Sequence, residues 1–273
     1  MTTVTSADGT TIGYEHVGSG PALILVDGAF CSRQFGPMPA LAKLLADHFT
    51  VYTYDRRGRG ASSDTMPYAP EREIEDLEAL IDAAGGTAYV HGTSSGAVLA
   101  LRATAALPGK VTKLATYEAP MLVDASRTPP PADYRQQVDR MVASGRNGDV
   151  VGFFMTKVVG APGFVPYVLR LMPAWKKLKD VAPTLRYDFA ILGDSQLGKP
   201  IPDDLAKAIG AIDVPVWVGD GGKSPRWMHH AQDEVAALLA DSRRDTLAGQ
   251  NHQVKAAVIA PALTAFFAEG EVR

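Results

Sequence analysis

The chain has 273 residues and a formal net charge of −3; 46% of its residues are hydrophobic and 21% charged, the balance of a soluble globular protein large enough to bury a sizeable core. That charge argues against nucleic acid or an anionic membrane as a partner, and no apolar run is long enough to span a bilayer. The single cysteine, Cys31, excludes an intrachain disulfide, and the opening Met-Thr-Thr-Val-Thr-Ser has neither the basic nor the apolar segment of a secretory signal, so a cytoplasmic protein is expected.

Along the chain, Thr3 to Ser6 and Ile12 to Val17 read as two strands joined by a turn at Asp8-Gly9. Ala22 to Val26 is a short continuous apolar run, the pattern of a strand buried on both faces of a parallel sheet. Thr50 to Tyr54 is a further strand; Tyr89-Val90 leads into the next, and Lys113 to Tyr117 into another. Between them, Glu71 to Ala84 places Ile74, Leu77, Ile81 and Ala84 on one helical face, started by Pro70 and stopped by Gly85-Gly86. Ser95 to Leu107 is a second helix, ending at Pro108-Gly109. Strand, helix and strand in alternation predict right-handed crossovers and a mostly parallel sheet.

From about Met121 to Ser195 no strand is evident. Pro129-Pro130-Pro131 opens the region, and helix-like stretches follow at Tyr134 to Ser144, Val150 to Val159 and Val165 to Lys179. This predicts a helical cap, residues 121–195, inserted into a core domain made of residues 1–120 and 196–273. The α/β rhythm resumes with a strand at Val214 to Val218, a helix near Pro225 to Leu239, a strand at Arg243 to Leu247 and a last helix from about Val254 to Glu269.

His91-Gly92-Thr93-Ser94-Ser95-Gly96 fits G-x-S-x-G where a strand gives way to a helix, the context this motif needs. A turn this sharp strains the backbone of its central residue, and side chains two positions to either side would collide, so Gly92 and Gly96 make room. The turn lifts the Ser94 hydroxyl above the sheet edge and aims the Ser95 N–H at a developing oxyanion. A serine hydroxyl needs a base. Of the six histidines, His252 follows the last strand and precedes the last helix, which puts it at the same sheet edge as Ser94 and after it in the chain. His229 and His230 are expected on an exposed helix, His16 and His48 at the periphery, and His91 packed in the core.

With these pieces the chain resembles the α/β-hydrolase superfamily over nearly its whole length. Leu25-Val26-Asp27-Gly28 is similar to the strand and turn before the oxyanion loop, and Asp55-Arg56-Arg57-Gly58-Arg59-Gly60-Ala61-Ser62 to the Asp-x-x-Gly-x-Gly-x-Ser loop of that superfamily. The resemblance implies an eight-stranded, mostly parallel α/β sheet flanked by helices, and it implies that the Ala29 N–H is the second oxyanion donor. Asp27 departs from the usual His-Gly. Its carboxylate would stand near the site, or would hydrogen-bond its own turn.

The resemblance offers two places for the carboxylate that orients the histidine. Glu118, at the end of the strand after the elbow helix, is similar to the glutamate of haloalkane dehalogenases and is preferred, because an unpaired carboxylate at a central strand tip is costly. Asp220, after the strand Val214 to Val218, is the alternative, and Asp194 a third candidate. The expected chemistry is acyl transfer from a small-molecule ester, lactone or similar carbonyl substrate through an acyl-enzyme at Ser94. No metal or organic cofactor is implied, since no H-E-x-x-H, metal-spaced Cys/His cluster or phosphate loop occurs. A serine at the nucleophile position excludes the dehalogenase and epoxide hydrolase chemistries, which require Asp there. A lyase or biosynthetic cyclase on the same fold, or a ligand-binding protein with little turnover, stays open. So does the choice between monomer and homodimer. The aromatic cap residues, among them Phe153, Phe154, Phe164, Tyr167, Trp175 and Tyr187, are expected to line an apolar pocket or to pack the cap. Cys31 is expected to be a small buried filler.

Overall fold

Strand β3 (Ala22–Val26) is buried along nearly its whole length, because each face meets its own hydrophobic cluster. Ile24 and Val26 point into one cluster, and Leu23 and Leu25 into the other. In the computed structural model, which describes residues 2–269, β3 lies near the middle of an eight-stranded sheet of order β1-β2-β4-β3-β5-β6-β7-β8. The other strands are β1 (Thr2–Thr5), β2 (Thr11–Val17), β4 (Thr50–Tyr54), β5 (Ala88–Thr93), β6 (Val111–Tyr117), β7 (Val216–Gly221) and β8 (Ser242–Leu247). The β1–β2 and β2–β4 pairs are antiparallel and all the others parallel, as the strand–helix alternation predicts.

Helices α1 (Met38–Leu45) and α11 (Ala256–Ala268) cover the Leu23 face. Helices α2 (Pro70–Ala83), α3 (Ser95–Ala106) and, after the insertion, α9 (Asp203–Gly210) and α10 (Arg226–Leu238) cover the other. Chain direction reverses its stepping at β3, with β4 on one side and β5 on the other, so a crevice opens above the carboxyl ends of β3 and β5. None of the helices is long and apolar enough to cross a membrane, among the described residues. Residue 1 and residues 270–273 of the expected core lie outside the described residues.

Between β6 and β7 the chain makes a helical excursion: α4 (Tyr134–Ala143), α5 (Asn147–Phe153) running into a π-helical turn (Phe154–Val158), α6 (Val165–Leu169), α7 (Trp175–Val181), a 3₁₀ turn (Ala182–Thr184) and α8 (Leu185–Leu192). The stretch Val165 to Lys179, expected as one helix, is two. Pro173 has no N–H to donate and would crowd the carbonyl of Leu169, where α6 ends. Helices α1, α8 and α9 went unanticipated. Strand β7 (Val216–Gly221) runs on past Val218 because Gly219, Asp220 and Gly221 still pair with Asp245, Thr246 and Leu247 of β8.

A buried ion network pins α8 to the sheet. Asp188, 1% exposed, accepts from Arg56 Nη1 at 2.6 Å, from Arg59 Nη2 at 2.7 Å and from the Ser95 hydroxyl at 2.7 Å. Arg56 also forms a two-pronged pair with Glu73 of α2, at 2.6 and 2.8 Å. Burial pushes the Asp188 carboxyl up, but the Arg59 and Arg56 charges outweigh burial and hold it below the ordinary carboxylate value. Removing one partner of such a network strands the others in a low-dielectric interior. Asp188→Ala should therefore cost about 3–5 kcal/mol of stability, measured by urea unfolding; a loss below about 1 kcal/mol, the scale of a surface pair, would mean that the two arginines find other partners or water.

Candidate active site

Ser94 links β5 to α3 with φ 58° and ψ −130°, a conformation that costs a non-glycine residue roughly 1–3 kcal/mol and persists only where its surroundings hold it. They do so closely. A Cβ on Gly92 would stand 2.5 Å from the Gly96 carbonyl oxygen, and one on Gly96 2.4 Å from that of Val26. β5 is hydrogen-bonded in register to β3 on one side (Val26 opposite Gly92) and to β6 on the other (Thr93 opposite Tyr117). The Ser94 N–H donates to the Tyr117 carbonyl at 2.9 Å. The half-buried hydroxyl thus stands at the carboxyl edge of the sheet, as the motif predicts.

His252 arrives from the loop after β8, which folds back over the end of β7. Gly221 permits this, since a Cβ there would meet the Gln250 carbonyl carbon at 2.5 Å. The Lys223 N–H holds the Gln250 carbonyl at 2.7 Å, and the Tyr117 hydroxyl donates to the Asn251 carbonyl at 2.8 Å. The imidazole then lies between two groups: Nε2 is 3.2 Å from Ser94 Oγ and Nδ1 is 2.8 Å from Glu118 Oε2. The tautomer with its proton on Nδ1 donates to Glu118 and leaves Nε2 to accept from the serine.

Glu118 is wholly buried at the tip of β6 with φ 50°. Its second oxygen accepts from the Gly221 N–H at 2.8 Å and from the Ser224 hydroxyl. Asp220 faces elsewhere. It is paired with Arg244 and with His229 Nδ1, and although burial raises its carboxyl, Arg244 holds it below the ordinary value. Asp194 is exposed and paired with Arg135. His229 and His230 are half-buried rather than exposed, because each imidazole is drawn onto an aspartate, Asp220 and Asp124 respectively. His91 is buried in the core, as expected.

Asp27, Gly28 and Ala29 follow β3. Gly28 lies directly on the elbow, since a Cβ on it would be 2.8 Å from the Ser94 Cβ. The N–H groups of Ala29 and Ser95 meet no backbone acceptor among the described residues, and Ser95 opens α3, where the helix dipole is positive. Asp27 is 3% exposed. The Cys31 thiol donates to it, and its Oδ1 has no hydrogen-bond partner among the described residues. Burial pushes its carboxyl up to about 7, against the pull of Arg59.

Sequence reasoning missed Ser224, Tyr117 and the ion network under the elbow. Arg56 and Arg59 stand inside a recognised motif, but the partner that gives them meaning, Asp188, is more than a hundred residues away in the chain. Arg59 also donates to the Gly28 carbonyl at 2.7 Å, so the network reaches the loop that carries Ala29.

The sequence profile of the alpha/beta hydrolase family matches residues 20–265. The chain is a member of that family. An α/β hydrolase from Sphaerobacter thermophilus DSM 20745 is 48% identical and superposes with a TM-score of 0.89, over 97% of this hydrolase and 100% of that chain. The enol-lactonase from Burkholderia xenovorans LB400 shares the fold at 18% identity, with a TM-score of 0.69, over 98% of this chain and 100% of that one. An uncharacterized hydrolase of Bacillus subtilis (strain 168), YraK, is 37% identical over 97 residues, a match that spans 34% of this chain and about a third of YraK, 35% of its length.

The Asp27 carboxyl has a stability consequence in this hydrolase. With a folded-state value near 7 against an ordinary 3.8, the folded protein keeps a proton that the unfolded chain has released, so stability falls as pH rises through that window. Asp27→Asn should abolish this part of the decline: its unfolding midpoint, compared with that of the parent, should gain steadily from pH 4 to pH 8. Parallel curves would show that Asp27 is already ionised in the fold.

Proposed function

We propose that this α/β hydrolase is a serine hydrolase that cleaves a small-molecule ester, lactone or similar carbonyl substrate. Ser94 is its nucleophile, His252 its general base and Glu118 the carboxylate that orients the histidine. The observation that carries the reading is the unbroken hydrogen-bonded line from Ser94 Oγ through the His252 ring to Glu118 Oε2, with Glu118 buried and doubly anchored at its other oxygen.

In this mechanism Ser94 Oγ attacks the substrate carbonyl while its proton passes to His252 Nε2. Glu118 stabilises the imidazolium that forms. The negative charge that develops on the carbonyl oxygen is met by the N–H groups of Ala29 and Ser95, donors already in place that need no reorganisation. Collapse expels the leaving group, which takes the proton from Nε2 and leaves an acyl-Ser94 ester. His252 then activates water to release the acid. The imidazole is 45% exposed, which suits water delivery in that second half. Residues 121–195 act as a cap over this site and select the substrate. Phe154 packs edge-on against Phe30 of the oxyanion loop, with ring centroids 5.1 Å apart, which gives the cap an apolar contact beside the reacting carbon. The enol-lactonase activity named for a protein of the same fold is an example of this acyl-transfer chemistry, by analogy of fold only.

The test is covalent labelling with a fluorophosphonate, read by intact mass and peptide mapping. A single adduct on Ser94, absent from Ser94→Ala, is expected; folded protein that takes no label would move the reading to a lyase, a cyclase or a binding protein. In the same assay series Glu118→Gln should lower kcat by about 100-fold or more, because the imidazole loses both its tautomer and its counter-charge, whereas Asp220→Asn should stay within a few fold. The reverse ranking would transfer the acid to Asp220.

A further inference from the structure

An open groove of about 710 Å³ lies between the loop after β6 and the helical excursion. One wall comes from the loop after β6, with Ser126, Arg127 and Thr128. The facing wall is the π-helical turn, with Thr156 and Lys157, and Pro225 and Trp227 of the α10 start close the end. Two chain neighbours connect its walls to the candidate site. Pro225 directly follows Ser224, whose hydroxyl donates to Glu118. The π-helical turn that supplies Thr156 and Lys157 begins at Phe154, the residue packed on Phe30 next to Ala29.

The charge of this groove is uncompensated. Arg127 is half-buried, and its guanidinium lies 4.8 Å over the Trp227 ring, a face that holds a cation without neutralising it. Among the described residues its single hydrogen-bond acceptor is the Val158 carbonyl, and burial pulls the guanidinium value down, as expected of a cation short of partners. A guanidinium carries five donors in a planar fork, so most of this one stays open. Lys157, exposed on the facing wall, adds a second positive charge, and neither cation has a carboxylate partner among the described residues. The nearby acid in the chain, Asp124, is already committed to His230 and Ser126. Arg56, Arg57 and Arg59, by contrast, are buried against carboxylates of their own.

We propose that Arg127, with Lys157, is a carboxylate-binding subsite, and that the preferred substrate is an ester or lactone that bears a second, free carboxylate. A planar fork backed by an indole face matches a carboxylate through two parallel N–H···O bonds. The hydroxyls of Ser126, Thr128 and Thr156 on the same walls can donate to its remaining lone pairs. The inference rests on the acyl-transfer reading of Ser94, since it assigns the other end of that substrate.

The experiment compares the monomethyl esters of succinic, glutaric and adipic acids with their neutral dimethyl esters. At least one half-ester should exceed its diester in kcat/KM by about tenfold or more, the value of one charge-assisted pair, with the difference carried mainly by KM. Arg127→Gln should erase that ratio, Arg127→Lys should restore part of it, and Arg146→Gln, an exposed arginine elsewhere on the excursion, should keep it. A wild-type enzyme without preference for any half-ester, or a preference that survives in Arg127→Gln, overturns the subsite. If no ester of either kind turns over, fluorophosphonate labelling reports separately on the serine, and calorimetric titration with glutarate decides the subsite. Binding that is lost in Arg127→Gln supports it, and no binding to the wild type, or equal binding to the variant, overturns it.

Discussion

Three parts of this molecule that are far apart in sequence converge on the Asp188 carboxylate: Arg56 and Arg59 from the loop after β4, Ser95 from the first turn of α3, and α8 itself at the end of the helical excursion. Each would be expensive in isolation. An arginine without a counter-ion in the interior, or a carboxylate without donors, loses its hydration and gains nothing. Together they are satisfied, and the geometry that satisfies them fixes where the elbow, the loop after β3 and the helices above the sheet stand relative to one another. Arg59 extends the constraint by holding the Gly28 carbonyl, which leaves the Ala29 N–H that follows turned away from the network.

Above this ionic floor the site is assembled from strand ends. Neighbouring strands β3, β5 and β6 deliver the Ala29 loop, Ser94 and Glu118 in succession, and β7 lets the His252 loop cross it at Gly221. Among the described residues, the three non-glycine residues with positive φ, Phe30, Ser94 and Glu118, all lie at or just after these strand ends. Backbone strain is thus gathered where side chains must converge on one point, and the sheet hydrogen bonds on either side hold it there.

The fold was largely legible because its signals are local. The buried run of Ala22 to Val26, the face of Glu71 to Ala84 and the strand–turn–helix around Ser94 each lie within a dozen residues. The helices of the excursion were harder. Pro173 divides a stretch whose apolar pattern reads as continuous, and α8 owes its place to Asp188, a charged residue that periodicity assigns to solvent. Of the candidate site, Ser94 and His252 could be read from chain order and context. Between Glu118 and Asp220 the sequence supports only a preference for Glu118, because the Arg244 and His229 partners that claim Asp220 appear in three dimensions alone. Arg127 was invisible for the opposite reason: what marks it is the lack of a counter-charge, and a sequence does not record which neighbours are missing.

The excursion between β6 and β7 is held very unequally. Its last turns, Thr184 to Leu192, are sewn into the core by Asp188, Tyr187 and Phe189, whereas the α6 segment leaves Phe164, Tyr167, Val168, Leu171 and Met172 facing outward. Substitutions therefore fall under two regimes within one stretch of chain. Around α8 a change is felt by the elbow itself; around α6 it alters only exposed surface. A lineage that diversifies this protein can vary the α6 surface while the packing around the elbow is inherited intact.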